Sequence, residues 1–257
     1  MTERGDLVLR ETRGRVGLLT LNRPEARNGL NSALLTQLDA GLRDMAADPS
    51  VGTIVLAANG PSFCAGGDLK EAATETEFWT QYERAGQSMR VHELLPRLPK
   101  PVIAAVDGHA VAGGCALAMS CDIVIASERA KFGYPEVGRG LVAAMAMVTL
   151  SRVVGRRQAL DLLFSARIVG AEEALRLGMI NRVVPQERLM DEVFAYAADM
   201  AGKSAAALRI TKDLYRQIAE IDYDRALHYA RDVNQMVRAT KDARQGAADF
   251  AKGKDRT

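Results

Sequence analysis

The sequence predicts an α/β fold of mostly parallel strands, followed by a helical C-terminal region. Two short apolar runs, Thr53–Ala58 and Val102–Val106, each follow a stretch with helical spacing. Alternation of strands and helices in this order is typical of βαβ units with parallel strands. From Met145 onward the apolar residues recur at helical spacing, and the breaks fall at glycine and proline. The last part of the chain is therefore predicted to be helical.

The first elements are a hairpin and a capped helix. Apolar residues alternate with polar ones on both sides of a glycine turn, which predicts two half-buried strands with Leu7 and Leu9 at buried positions. Asn31 or Ser32 is expected to cap a helix whose leucines fall at helical spacing and which ends at Asp48. These elements begin the predicted core.

A second helical stretch and a further strand complete the core. Helical spacing extends from about Glu71 to Leu98, where prolines stop it, and Ile123–Ala126 is predicted as a buried strand. We place the boundary of the core beside Pro185, which gives a core of residues 1–186 and a helical region of residues 187–257.

Composition excludes several functional classes. The 257-residue chain has a net charge of +2, and its charges form no basic stripe of the kind that binds nucleic acid. Its three cysteines form no CxxC pair, which favours neither disulfides nor a zinc site and favours a reducing, cytoplasmic compartment. The longest apolar stretches, Ala110–Met119 and Leu141–Val148, are too short to cross a bilayer, and no signal peptide is visible. We expect neither nucleic acid nor membrane as a partner.

A glycine-rich turn, Ser62–Lys70, follows the first predicted βαβ strand. The pair Gly66-Gly67 allows close approach of a ligand to the backbone, and Asp68 can cap the following helix. Unpaired backbone amides would then point at whatever lies above the turn. A purely structural turn with the same residues is the alternative interpretation.

A second turn of the same design, Gly108–Ala116, follows the next strand. Two such turns on neighbouring strands could bring two backbone N–H groups to one point, as stabilisation of a negatively charged thioester oxygen requires. The alternative is that the small residues only allow tight helix packing, and this role is favoured for Gly114. Neither turn spells a nucleotide-binding motif of the GxGxxG or GxxxxGK[ST] type.

Glu136 is a candidate acid/base residue. It lies between Pro135 and an apolar stretch, where desolvation would raise the pKa of its carboxyl and suit it to proton transfer. The alternative is an ordinary acidic residue in the first turn of a helix, where the helix dipole stabilises it.

Together these segments resemble the enoyl-CoA hydratase/isomerase family, also called the crotonase family, over nearly the whole chain. The resemblance implies a crotonase-like spiral of repeated ββα units, with a helical C-terminal region that covers the pocket and forms a homotrimer or a dimer of trimers. It rests on the order and spacing of these segments: Leu21-Asn22-Arg23-Pro24 with Asn28, Phe63–Lys70, Lys100–Gly108, Cys121-Asp122-Ile123, Phe132–Gly140 and Ala171–Pro185.

The resemblance also implies a set of site residues. The two oxyanion-hole amides correspond to Gly67 and Gly113, and the acid/base residue corresponds to Glu136. An acyl-CoA thioester is the implied substrate, so that no separate cofactor and no metal are expected. The residues implied in substrate binding are Arg23, Ala26, Arg27, Ala65, Gly66, Asp68, Leu69, Tyr134, Phe250 and Lys254.

One position departs from the pattern of the family's hydratases, which hold water between two glutamates. The first glutamate would lie three residues after Gly113, where this chain has Ala116. A methyl group neither accepts a proton nor orients water, so the pattern favours isomerisation of 3-enoyl-CoA to 2-enoyl-CoA by one base. An atypical hydratase and a non-catalytic CoA-binding relative are the alternatives. Tyr134 and Glu93 are conceivable substitutes for the missing group, although structural roles are favoured for both.

Overall fold

The computed structural model describes residues 5–74 and 76–252. The strands are β1 (Val8–Arg13), β2 (Val16–Leu21), β3 (Thr53–Ala58), β4 (Val102–Val106), β5 (His109–Val111), β6 (Ile123–Ser127), β7 (Lys131–Gly133), β8 (Ile168–Gly170) and β9 (Arg182–Val184). The helices are α1 (Ser32–Ala47), α2 (Leu69–Thr74), α3 (Phe78–Leu94), α4 (Gly113–Met119), α5 (Ala146–Val153), α6 (Arg156–Ser165), α7 (Ala171–Arg176), α8 (Leu189–Ala201), α9 (Ala205–Ile218), α10 (Tyr223–Arg238) and α11 (Lys241–Ala251).

Six strands form one sheet in the order β1-β2-β3-β4-β6-β9. Only the β1–β2 pair is antiparallel, and each later neighbour in this sheet is parallel. A second sheet has the order β5-β7-β8. The prediction of an α/β fold with mostly parallel strands is confirmed. The strands of the second sheet were not predicted, because three residues are too few to show a periodicity.

Both faces of the larger sheet are covered. Along β3, Ile54 and Leu56 belong to the cluster that includes the leucines of α1, whereas Val55 and Ala57 pack with α8. Burial on both faces explains why β3 is a continuous apolar run rather than an alternating one. The first compact unit ends at Ala201, so that α8 belongs to it, and the division falls later than the predicted boundary at 186/187.

The first hairpin is present, but its buried face differs from the prediction. Val8 is 3% exposed and Leu7 packs partly buried against the core, whereas Leu9 is 39% exposed, so the prediction of a buried side chain is wrong for Leu9. The amides of Leu7 and Val8 both donate to the side-chain oxygen of Gln37 on α1, at 2.8 and 3.0 Å. These two hydrogen bonds fix the start of the edge strand.

Two helices occupy the stretch predicted as one from about Glu71 to Leu98. They are α2 and α3, and a 3-10 turn (Leu95–Arg97) follows α3. The predicted cap of α1 is confirmed, since the side-chain oxygen of Asn31 accepts a hydrogen bond from the Leu34 amide at 2.9 Å. Among the described residues, no helix has the length and apolar character needed to span a bilayer.

The second compact unit begins at Gly202 and contains α9, α10 and α11. Each of these helices begins at a polar cap: Ser204, Asp222 and Thr240 accept hydrogen bonds from backbone amides of the first turns. Helix α9 packs against α10, and α10 against α11. The helical character predicted for the end of the chain is confirmed for this unit.

Candidate active site

A cavity of about 970 Å³ opens in the first unit. Its walls include the turns that follow β2, β3 and β5, together with one face of α3 and the segment from Pro135 to Ala146. Turns at the carboxyl ends of strands are the usual place for ligand sites in sheets with parallel strands. Both glycine-rich turns of the sequence therefore reach one cavity.

The turn after β2 is hydrogen-bonded to the turn after β3. The Arg23 guanidinium donates a hydrogen bond of 2.5 Å to Asp68, and the backbone oxygen of Arg27 accepts one of 3.0 Å from the Ala65 amide. Burial by itself would raise the pKa of Asp68, but the hydrogen bonds from Arg23 and from backbone amides lower it below the usual value. Asp68 therefore stays ionised and holds the two turns together.

The turn after β3 also lies directly against the start of α4. Gly66 has φ +87°, and a Cβ atom placed on it would lie 2.9 Å from the amide nitrogen of Gly113. Only glycine fits this approach. A Cβ atom on Gly114 would lie 2.2 Å from the backbone oxygen of Cys64, which agrees with the packing role favoured for this glycine.

Gly67 and Gly113 present two neighbouring amides to the cavity. A Cβ atom placed on Gly113 would lie 3.7 Å from the amide nitrogen of Gly67, and both residues line the cavity. Neither amide donates to an acceptor among residues 5–74 and 76–252. Ala112, just before Gly113, has the strained φ of +53° and is held by a 2.8 Å hydrogen bond to Gly133. This arrangement can hold an oxygen that gains negative charge.

Glu136 lies in the cavity wall as a partly buried residue. Its Oε2 atom is buried and has no hydrogen-bond partner in the described part of the chain. Burial raises the pKa of this carboxyl above its ordinary value, although its own backbone amide and Arg139 act in the opposite direction. A carboxylate in this environment is suited to accept a proton from a bound molecule.

Most of the predicted binding residues meet at this cavity. Gly66 shapes the contact between the two turns, as described above. Phe250 lies on α11 in the second unit and is 80% exposed, while Lys254 lies outside the described residues. The predicted binding residues that line the cavity are Arg23, Ala26, Arg27, Ala65, Asp68 and Leu69.

Tyr134 does not reach the cavity, which corrects its assignment to the binding site. Its ring is fully buried, and its hydroxyl lies next to the thiol of Cys115. Burial raises the pKa of this phenol well above its ordinary value, so that it stays neutral. Tyr134 is therefore a core residue, and it is not among the residues that line the cavity.

His92, which the sequence analysis did not select as a site residue, is linked to Ala116 through Ser120. Glu93 points to solvent near Arg97, whereas His92 lines the cavity. The Nδ1 atom of His92 lies 3.1 Å from the hydroxyl of Ser120, which donates to the backbone oxygen of Ala116 at 2.8 Å. An imidazole of the cavity wall is thus linked through Ser120 to the backbone of Ala116.

Three comparisons with known proteins agree with this geometry. The sequence model of the family described as enoyl-CoA hydratase/isomerase matches residues 11–256. A relative from Rhizobium meliloti (strain 1021), named probable enoyl-CoA hydratase, is 41% identical over 246 residues, which are 95% of each chain. The crystal structure of an enoyl-CoA hydratase from Mycobacterium smegmatis superposes with a TM-score of 0.93 at 36% identity, and the match covers 96% of this chain and 97% of that one.

Proposed function

The chain belongs to the enoyl-CoA hydratase/isomerase family, and from this premise we propose that it isomerises 3-enoyl-CoA to 2-enoyl-CoA. It is an acyl-CoA enzyme of the family. In the proposed reaction the amides of Gly67 and Gly113 bind the thioester oxygen. The carboxylate of Glu136 removes a proton from C2, and the electron pair of that C–H bond delocalises over a dienolate. The same carboxyl then returns the proton to C4, which leaves the double bond between C2 and C3.

One observation carries this proposal: Glu136 has a buried oxygen without a hydrogen-bond partner among the described residues, while its usual companion is replaced by Ala116. The other carboxylates in the cavity wall are paired. Asp68 forms the 2.5 Å ion pair with Arg23, and Glu25 lies 3.9 Å from the same guanidinium. Glu136 is thus the carboxylate best placed to move a proton.

The binding of the CoA portion is part of the same proposal. By resemblance, the turns that contain Arg23, Arg27 and Ala65 hold the pantetheine and the adenine, and the mutual hydrogen bonds of these turns support a preformed surface. Phe250 and Lys254 stay proposals for the acyl pocket and the CoA phosphate. We also propose a homotrimer or a dimer of trimers. We propose a cytoplasmic location as well, in keeping with three buried cysteines that form no disulfide.

The experiment is an isomerase assay with 3-hexenoyl-CoA, in which the appearance of the conjugated thioester is followed by absorbance and the product is identified by chromatography. We expect turnover by the wild type and a loss of at least about 100-fold for Glu136→Gln. A Glu136→Gln variant as active as the wild type would show that another group moves the proton. Absence of turnover with retained CoA binding would support a non-catalytic role.

Hydration of 2-enoyl-CoA is a second candidate, and His92 is the observation that favours it. The single hydrogen of the Ser120 hydroxyl is directed to Ala116, so this oxygen accepts from Nδ1–H of His92 and leaves Nε2 as an acceptor. Burial lowers the pKa of His92 to about 4, which keeps the ring neutral near pH 7. A neutral imidazole in the cavity wall can orient a water molecule by accepting its hydrogen.

One pair of assays, for isomerisation and for hydration, distinguishes the two proposed reactions. If the chain hydrates crotonyl-CoA through His92, His92→Phe should lose hydration by about 100-fold and keep its isomerase rate within a few-fold. His228, an exposed histidine of the second unit, supplies the control variant His228→Phe. An equal loss of both activities in His92→Phe would indicate a general disturbance of the pocket.

A further inference from the structure

Helix α3 has an unusual distribution of polar and apolar residues. Its first turns expose three aromatic side chains, Phe78, Trp79 and Tyr82, which contact one another at the surface. The face towards the cavity is polar instead. The residues of α3 that line the cavity are Gln81, Arg84, Ala85, Ser88 and His92, and all of them except Ala85 are polar. A helix of a globular protein normally turns its apolar side inwards. Because the cavity-facing side of α3 is mainly polar, it is suited to a ligand with polar groups.

Arg84 is the charged residue of this inner face, and one of its hydrogen-bond donors has no acceptor among the described residues. Its Nη1 atom is buried and has no hydrogen-bond partner among the described residues. Glu71 forms an ion pair with this guanidinium at 3.6 Å, which is longer than a hydrogen bond, and the Glu71 oxygens accept from the Ser32 amide. A guanidinium has five N–H donors, and burying them unpaired is unfavourable. Arg84 therefore keeps a buried donor that no acceptor among the described residues satisfies.

The chemistry of a fitting ligand follows from the Arg84 guanidinium and from the apolar part of the cavity wall. A planar guanidinium pairs best with an anion that offers two oxygens, such as a carboxylate or a phosphate. The segment beyond Glu136 lines the same cavity with apolar residues, among them Leu141, Val142 and Met145. A hydrocarbon chain that ends in an anion would satisfy both surfaces.

We propose that Arg84 binds a carboxylate at the far end of the acyl group, so that the preferred substrates are CoA thioesters of dicarboxylic acids. This inference deepens the proposed acyl-CoA function and rests on it. The phosphates of CoA carry the same oxygen chemistry, but the turns assigned to CoA already supply Arg23 and Arg27, which line the cavity as well.

Calorimetric binding of saturated thioesters tests the proposal without any turnover. The probes are succinyl-, adipyl- and suberyl-CoA, each paired with the monocarboxylic thioester of equal length (butyryl-, hexanoyl- and octanoyl-CoA), together with free CoA. We expect the wild type to bind at least one dicarboxylic probe about 10-fold or more tightly than its partner, because charge-assisted hydrogen bonds are strong. In Arg84→Met this ratio should fall to about one, and Arg84→Lys should keep part of it.

Arg90 provides the matched control, since it is an exposed arginine of the same helix outside the cavity wall. Arg90→Met should keep the wild-type ratio. Equal affinity of the wild type for both members of every pair would overturn the proposal. A loss of free-CoA affinity in Arg84→Met that matches its loss for the thioesters would overturn it as well, by assigning Arg84 to a phosphate. Failure of the isomerase assay with a retained dicarboxylate preference would contradict the proposed reaction alone.

Discussion

The Nδ1 atom of His92 lies 3.1 Å from the hydroxyl of Ser120, one helical turn from Ala116. This contact fixes both the orientation and the tautomer of the ring. The imidazole is largely removed from solvent, and burial lowers its pKa to about 4. Its protonation state consequently differs between the folded and the unfolded chain across mildly acidic pH.

The first prediction concerns this histidine. Because the folded pKa of about 4 lies below the ordinary value of 6.5, the unfolded chain binds more protons between these values. The free energy of unfolding should therefore decrease as the pH falls from 6.5 towards 4, and part of that slope should be absent in His92→Phe. Denaturant titrations at several pH values, with NMR of the ring, measure both effects. A ring that titrates near 6.5 in the folded protein would contradict the structure.

Glu136 gives the second prediction. Activity needs the carboxylate form, and burial raises the pKa, so the acidic limb of kcat/KM should lie above pH 4.5 in the wild type. Glu136→Gln should lose the limb together with about 100-fold or more of the rate. It should remain at least as stable as the wild type at pH 7, because the fold disfavours the ionised carboxylate.

The control for Glu136 is Glu93, the exposed carboxylate that pairs with Arg97 on the protein surface. Glu93→Gln should keep both the rate and the acidic limb. If the limb persisted in Glu136→Gln and disappeared in Glu93→Gln, the assignment of the proton-transfer group would have to be reversed.

The third prediction compares two adjacent glycines. A methyl group at Gly66 would lie 2.8 Å from the Cβ atom of Ala112 and would also require an unfavourable φ of +87°. Gly66→Ala should therefore destabilise the fold by roughly 1–3 kcal/mol and displace the Gly113 amide, with a kcat loss on the order of 100-fold. Thermal unfolding and initial rates measure the two effects.

Gly67→Ala is the matched comparison, because a Cβ atom on Gly67 meets nothing within 4 Å and its φ is ordinary. This variant should unfold within about 0.5 kcal/mol of the wild type. Its methyl group should instead occupy space in the cavity and weaken thioester binding. Equal thermal stability of the two variants would argue against the close contact between the turn and α4.

The sequence predicted the features that depend on neighbouring residues. Strand β3 shows as a continuous apolar run, and Asn31 shows as a cap, since both signals are local. The family resemblance then assigned the amides of Gly67 and Gly113 within the two glycine turns. Contacts between distant segments were beyond single-sequence reasoning. The inner face of α3 could be recognised as a polar stripe, but its spacing does not reveal that a cavity lies there, so His92 and Arg84 were missed.

Tyr134 illustrates the opposite error. A tyrosine two residues before Glu136 was expected at the binding surface, but its side chain, just after β7, is fully buried. Similarly, the alternation in β1 placed Leu9 on the buried face, whereas two hydrogen bonds accepted by the Gln37 side chain hold this edge strand with Val8 buried. Both outcomes depend on tertiary packing, which a local pattern does not contain.

The last prediction concerns the ion pair that joins the two turns. The side chain of Asp68 is 9% exposed and that of Arg23 is 20% exposed, so their interaction is only partly screened by solvent. Asp68→Asn retains an oxygen for the amides of Lys70 and Glu71 and removes the charge. It should lower the free energy of unfolding by about 2 kcal/mol at pH 7.

The pH dependence and a double-mutant cycle identify the source of this loss. The pKa of Asp68 is lowered in the folded chain, so its stabilising contribution is present above the ordinary pKa of 3.8 and is lost as the pH falls through the folded value. The difference between the wild type and Asp68→Asn should therefore shrink in strong acid. In the cycle with Arg23→Met, a coupling energy of roughly 1–2 kcal/mol is expected at pH 7. Additive effects of the two substitutions would mean that the turns are held by their backbone hydrogen bonds alone.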